Sequence, residues 1–112
     1  MKTLKKEISE FVKERDWEQY HSPKNLAMGL SIEASELAEI FLWLTEEESR
    51  KLNKTQFKNL KEEIGDIMIY VFNLCDKFNL DPIQCAKDKI KYNKKKYPVN
   101  IVKGSAKKYT EY

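Results

Sequence analysis

Residues 23–44, PKNLAMGLSIEASELAEIFLWL, read as one amphipathic helix. At about 100° per residue, Leu26, Leu30, Leu37, Ile40 and Leu44 fall within about 40° of a common direction. Glu33 falls in the middle of that apolar stripe, and Glu36 lies at its edge one turn on. Glu39 lies on the far side, where a solvated acid belongs. A carboxylate buried alone is expensive and tends to take up a proton. Glu33 therefore needs a partner: a Lys or Arg from another helix, or a metal ion.

Residues 60–75, LKEEIGDIMIYVFNLC, repeat the anomaly. Asp66 sits inside an apolar run, with Glu63 three residues before it and Tyr70 four after it. Glu63, Asp66 and Tyr70 form one stripe; Ile64, Met68, Val71 and Cys75 form another. Two helices thus each carry two acids at i,i+3. Converging carboxylates repel, and a divalent cation resolves the repulsion. Ligands that are all oxygen suit a hard ion, Mg2+ or Mn2+. A di-iron bundle would need ExxH motifs on two helices; the one histidine, His21, follows neither glutamate. A calcium loop of the DxDxDG kind is absent.

The rest of the chain supports an all-α, antiparallel four-helix bundle. Three Gly and three Pro in 112 residues leave little material for tight turns. The spacing predicts helices over 3–17, 23–44, 56–78 and 82–97, the last stopped by Pro98. Ser22-Pro23 and Asp81-Pro82 read as N-caps followed by proline at the first helical position. Gln84 is placed to complete a capping box with Asp81, and Thr45 with Glu48 caps a short connecting helix. One domain over 1–112 is expected, with a helical core over 3–97 and an irregular tail over 98–112. So small an all-helical chain would leave long helix faces exposed, which predicts a homo-oligomer. Net charge is +3 with the signs interspersed, so no nucleic-acid polymer is called for. Cys75 and Cys85 read as reduced thiols. Without an apolar run of about 20 residues, no membrane association is expected. A cytoplasmic protein is the expectation.

The motifs resemble those of the all-α nucleotide pyrophosphohydrolases of the MazG-like superfamily, and most of all its dCTP pyrophosphatase branch. Residues 15–43, RDWEQYHSPKNLAMGLSIEASELAEIFLW, resemble that branch's W-x-x-[FY]-H-x-P-[RK]-N-L segment followed by E-x-x-E-L-x-E-x-F-x-W. LKEEIGDIMIY over 60–70 resembles its second acidic helix. KIKYNKKKYP over 89–98 and KKYTEY over 107–112 resemble its basic fourth helix and tail. The resemblance implies hydrolysis of a dNTP, with dCTP or a modified dCTP favoured, to dNMP and pyrophosphate by attack at the α-phosphate. It implies Mg2+ held by Glu33, Glu36, Glu63 and Asp66. It sets Tyr70, Lys89 and Asn93 near sugar and phosphates, and Trp17 and Trp43 near the base. It implies dimers, or dimers of dimers. One departure is Ile8, where some eukaryotic members carry a histidine.

The residues themselves favour water as nucleophile, since no Ser or Cys has a base at a persuasive spacing. A bound metal makes water more acidic, and a glutamate takes its proton. Glu36, at the edge of the stripe, is the leading base, and Glu33 mainly a ligand. Lys89 and Asn93, at i,i+4 beside the Ile90/Tyr97 face, are better phosphate contacts than Lys94 to Lys96, which also suit a solvated helix end. Trp43, off the stripe, suits stacking on a base or packing against another subunit. Asn25 either orients a ligand or bonds within the first helical turn. His21 fixes the turn before the second helix or packs in the pocket. The alternatives to an enzyme are a non-catalytic module that binds metal or nucleotide, and a protein-interaction bundle.

Overall fold

Short polar side chains open the helices. Thr3 Oγ1 accepts from the Lys6 N–H (3.2 Å) ahead of α1, Leu4–Glu14. Ser22 Oγ accepts from the Asn25 N–H (3.1 Å) ahead of α2, Pro23–Phe41. Thr45 and Glu48 form the expected capping box on the four-residue α3, Glu46–Ser49. Asn53 and Gln56 form a second box on α4, Lys54–Lys77, which starts two residues before the expected Gln56. Each cap satisfies an N–H that the first helical turn leaves without a partner.

The computed structural model describes residues 2–106, in two compact units that divide between Asn79 and Leu80. In the first unit α1 stops short of the expected Trp17. Asp16 takes a left-handed conformation (φ 55°) and turns the chain into a 3-10 turn, Glu18–Tyr20. The helix predicted over 23–44 ends at Phe41, three residues early. α2 packs chiefly on α4, and α1 packs on α4 as well. Among the described residues, Ile8, Val12 and Leu26 are the buried apolar ones. Leu30, Leu37, Ile40 and Leu44 are half-buried, as are Leu60, Ile67, Val71 and Leu74 on α4. The α2 stripe is thus the one read from the periodicity. On α4 the inward stripe is the one that carries Glu63 and Tyr70, while Ile64 and Met68 remain exposed.

The second unit holds α5, Pro82–Lys96, and α6, Val99–Val102. The capping box expected from Asp81 and Gln84 does not form. Asp81 Oδ1 accepts from the Ile83 N–H (2.9 Å), and Gln84 Nε2 donates to Asp88 Oδ1 instead (2.8 Å). The tail is not wholly irregular, because Pro98 both ends α5 and opens a new helical turn from its fixed φ. The KKYTEY motif, 107–112, lies outside the described residues. The described elements are therefore six α-helices and a 3-10 turn, with no strand among the described residues. No helix is long and apolar enough to cross a membrane. Cys75 and Cys85 form no disulfide.

Candidate metal centre and adjoining cavity

α2 and α4 lie against each other, and each carries its two acids one turn apart. One oxygen from each of Glu33, Glu36 and Glu63 lies within 4.8 Å of the others. Glu33 and Glu63 are half-buried, and Glu36 is exposed. One carboxylate oxygen of Glu33 and one of Glu63 are buried without a hydrogen-bond partner among the described residues. Buried acceptors are normally satisfied, so two orphans on adjacent side chains mark a place for a cation or a shared proton. Burial, followed by the neighbouring Glu63 and Glu36 carboxyls, pushes the Glu33 pKa up to about 7. Asp66 adds to that rise through its charge.

Asp66 corrects part of the sequence reading. It was expected, with Glu33, to lie where a surface acid should not. It is exposed, and Glu63 is the second sheltered acid. Its neighbours Ile64, Gly65, Met68 and Ile69 are exposed within this chain, so an acid on that side of the helix is not desolvated. Asp66 nevertheless shares a cavity with Glu33, although it lies outside the tight group of three.

That cavity, of about 290 Å³, has Glu33 and Asp66 in its wall together with Tyr70 and Asn73 of α4. Phe11, Val12, Trp17 and Ile69 supply its apolar surface, and His21 also reaches it. Trp17 is held edge-on to Phe11, with ring centroids 5.6 Å apart, and the Arg15 guanidinium lies 3.8 Å over the other ring. A second hollow, of about 250 Å³, is lined by Trp17, Tyr20, His21, Asn25, Leu26 and Tyr70. Burial holds the His21 pKa below its ordinary value, helped by the charge of Lys77. Its ring is therefore neutral near pH 7.

Among the residues read as substrate contacts, Trp17 and Tyr70 line both hollows and Asn25 lines the second. Asn25 also has a local duty: its Nδ2 donates to the Tyr20 carbonyl (3.1 Å), which ties the 3-10 turn to α2. Trp43 lines neither hollow and is 88% exposed beyond the end of α2. Lys89 and Asn93 lie on α5 in the second unit, where the Lys89 ammonium sits 4.4 Å over the Tyr92 ring. Ile8 is core, 7% exposed. Sequence reasoning passed over Phe11 and Asn73. The signal for Asn73 was present: it follows Asp66 by seven residues and Tyr70 by three, on the same helical face.

Known proteins share this arrangement of helices. A pyrophosphatase from Archaeoglobus fulgidus superposes with a TM-score of 0.77 at 41% identity, covering 81% of this chain and 85% of that one. dCTP pyrophosphatase 1 of Bos taurus is 41% identical over 105 residues, and its Homo sapiens counterpart 37% over the same length. Those alignments cover 92% of this chain, which spans 62% of the length of these curated relatives. The MazG-like family pattern matches residues 28–112, a stretch that includes all four acids. With two acid-bearing helices laid together and that pattern running through both, the chain belongs to the MazG-like family.

Proposed function

We propose that the protein is a Mg2+-dependent nucleoside triphosphate pyrophosphohydrolase. It would convert a dNTP, dCTP or a modified dCTP by analogy with the named relatives, to dNMP and pyrophosphate. The observation that carries this is the pair of orphaned oxygens on Glu33 and Glu63, set beside Glu36 and a cavity walled by aromatic rings. The residues fit a hard divalent ion, since all donors are carboxylates and one oxygen each of Glu33 and Glu63 lacks a hydrogen-bond partner among the described residues. Glu33, Glu36 and Glu63 would hold it, with Asp66 completing the set. When bound, Mg2+ or Mn2+ would neutralise triphosphate charge and make water a better nucleophile at neutral pH.

The chain's own residues do the rest. Trp17 and Tyr70 flank the nucleoside, and Phe11, Val12 and Ile69 exclude water from it. Glu36, the solvent-facing member of the trio, takes a proton from the attacking water. The water oxygen bonds to the α-phosphorus, the bond to the bridging oxygen breaks, and pyrophosphate leaves. Glu33 serves as a ligand. Lys89 and Asn93 contact the phosphates, supported by the charge of the one, the amide of the other and their i,i+4 spacing. Trp43 serves the base. The same proposal takes residues 1–112 as one domain whose four long helices form an antiparallel bundle, working in the cytoplasm.

Exposed apolar side chains support a homodimer or homotetramer. Ile32 and Leu42 are 59% and 62% exposed and Trp43 is nearly bare, while three apolar residues are buried among the described residues. Faces of this kind mark association surfaces.

The test is incubation with dCTP and Mg2+, reading phosphate with and without an added inorganic pyrophosphatase. Phosphate should appear only with the coupling enzyme and vanish with a chelator. Direct release of phosphate would contradict cleavage at the α-phosphorus.

A further inference from the structure

Along α4, Asp66, Tyr70 and Asn73 stand at i, i+4 and i+7, and all three line the cavity of about 290 Å³. Seven residues of helix span about 10 Å, so Asp66 and Asn73 lie two turns apart on one face with Tyr70 between them. The acid end of this stripe belongs to the proposed metal site. The other end is different in kind. Asn73 shares the cavity wall with Phe11, Val12, Trp17 and Ile69, and it brings to that wall an uncharged amide with both a donor and an acceptor. It is half-buried, and its side chain has no hydrogen-bond partner among the described residues. Its amide atoms are not among the buried orphans, so they remain open to a ligand that enters the cavity. A site built to bond a ligand carries such a group.

We propose that Asn73 is a specificity-determining residue that reads the edge of a pyrimidine base, cytosine above all, bound in this cavity. Cytosine presents a ring nitrogen acceptor next to an exocyclic amine donor. A carboxamide presents the complementary pair, N–H beside C=O. A volume of about 290 Å³ has room for a nucleobase. Trp17 and Ile69 line the same cavity and offer apolar cover for that ring. His21 also lines this cavity, and burial holds its pKa below the ordinary value. The inference rests on the reading of the site as a nucleoside triphosphate site and names the side chain that selects the base.

The experiment compares dCTP with its analogue that carries 2-pyrimidinone, cytosine without the exocyclic amine, on the wild-type protein and on Asn73→Leu. Wild type should favour dCTP by about tenfold in kcat/KM, the worth of one well-placed hydrogen bond. Asn73→Leu should lose about tenfold on dCTP, mostly through KM, and treat the two substrates alike. Mn2+ binding and the melting temperature of the variant should stay near wild type. Wild-type indifference to the missing amine would overturn the proposal without any variant. So would an Asn73→Leu protein that keeps the discrimination. A wild-type protein that hydrolyses no nucleoside triphosphate would instead overturn the nucleotide reading, and this inference with it.

Discussion

The ring of Tyr70 lies against the backbone of α2 at Gly29. A Cβ built on Gly29 would meet ring Cζ at 2.7 Å and the hydroxyl oxygen at 2.9 Å. This close approach explains a glycine in the interior of a 19-residue helix, where it costs about 1 kcal/mol relative to alanine. The seat thus gives up helix propensity and sets the ring that lines both hollows.

Gly29→Ala should therefore act on the site more than on the fold. Overpacking costs about 1–3 kcal/mol, but the clashing atoms are the free end of a side chain that can swing away, and alanine returns about 1 kcal/mol of helix propensity. The expected result is a melting temperature within a few degrees of wild type, with KM for the nucleotide raised about three- to tenfold. Gly65→Ala is the companion, since a Cβ there meets nothing within 4 Å. It should stabilise the protein by about 0.5–1 kcal/mol. Steady-state kinetics and thermal melts of the pair check both expectations, and a loss of stability at Gly65 would place it in a subunit interface.

The Glu33 carboxyl makes metal-free stability depend on pH. Its pKa rises from 4.5 to about 7 in the folded chain, from burial first and then from Glu63 and Glu36. A group raised on folding stabilises at low pH, and that contribution is lost as pH rises through the folded value. The metal-free melting temperature should fall as pH rises from about 4.5 to about 7, and Glu33→Gln should flatten the fall. Because a ligand must shed its proton to bind, affinity for Mn2+ should rise over the same range. Calorimetry in buffers of different ionisation enthalpy would count the proton released. An affinity independent of pH would remove Glu33 from the ligand set.

Glu36 is the exposed acid of the trio, and the proposed base. Glu36→Gln should bind the Mg2+-nucleotide within a few-fold of wild type while kcat drops by about 100- to 10,000-fold. Equilibrium binding together with single-turnover hydrolysis separates the two effects. Full activity in the variant would assign the proton to another group.

Trp43 stands almost wholly exposed after α2, next to Leu42. If this face joins copies of the chain, Trp43→Lys should shift the protein toward monomer in sedimentation velocity. Indole emission of the wild type should move to longer wavelength on dilution. A wild-type monomer at all concentrations would end the oligomer reading.

Much of the carboxylate trio was legible before any coordinates. Helical spacing alone put Glu33 among Leu26, Leu30, Leu37 and Ile40, and the half-buried pattern of α2 follows that stripe. Helix starts at Ser22, Thr45 and Asp81 were equally readable, because a cap is a contact within three residues. Helix ends were less so. Asp16 leaves the helical region through one backbone angle, and nothing in the periodicity of 3–17 announces it. Gln84 had two local partners to choose from and took Asp88 over the Asp81 backbone.

What the sequence determined by itself was local: helix faces, caps, and which acids stand one turn apart, since i,i+3 and i,i+4 neighbours follow from the helical repeat. Which acid is sheltered depended on how α2 meets α4. That contact buries an oxygen of Glu63 and leaves Asp66 exposed, a choice that two stripes on one helix cannot make alone. The same contact seats Tyr70 on Gly29 and turns Asn73 toward a cavity walled from α1. The quartet of acids read from the chain thereby becomes a group of three with a fourth at the cavity edge, because distance and desolvation are properties of two helices packed together.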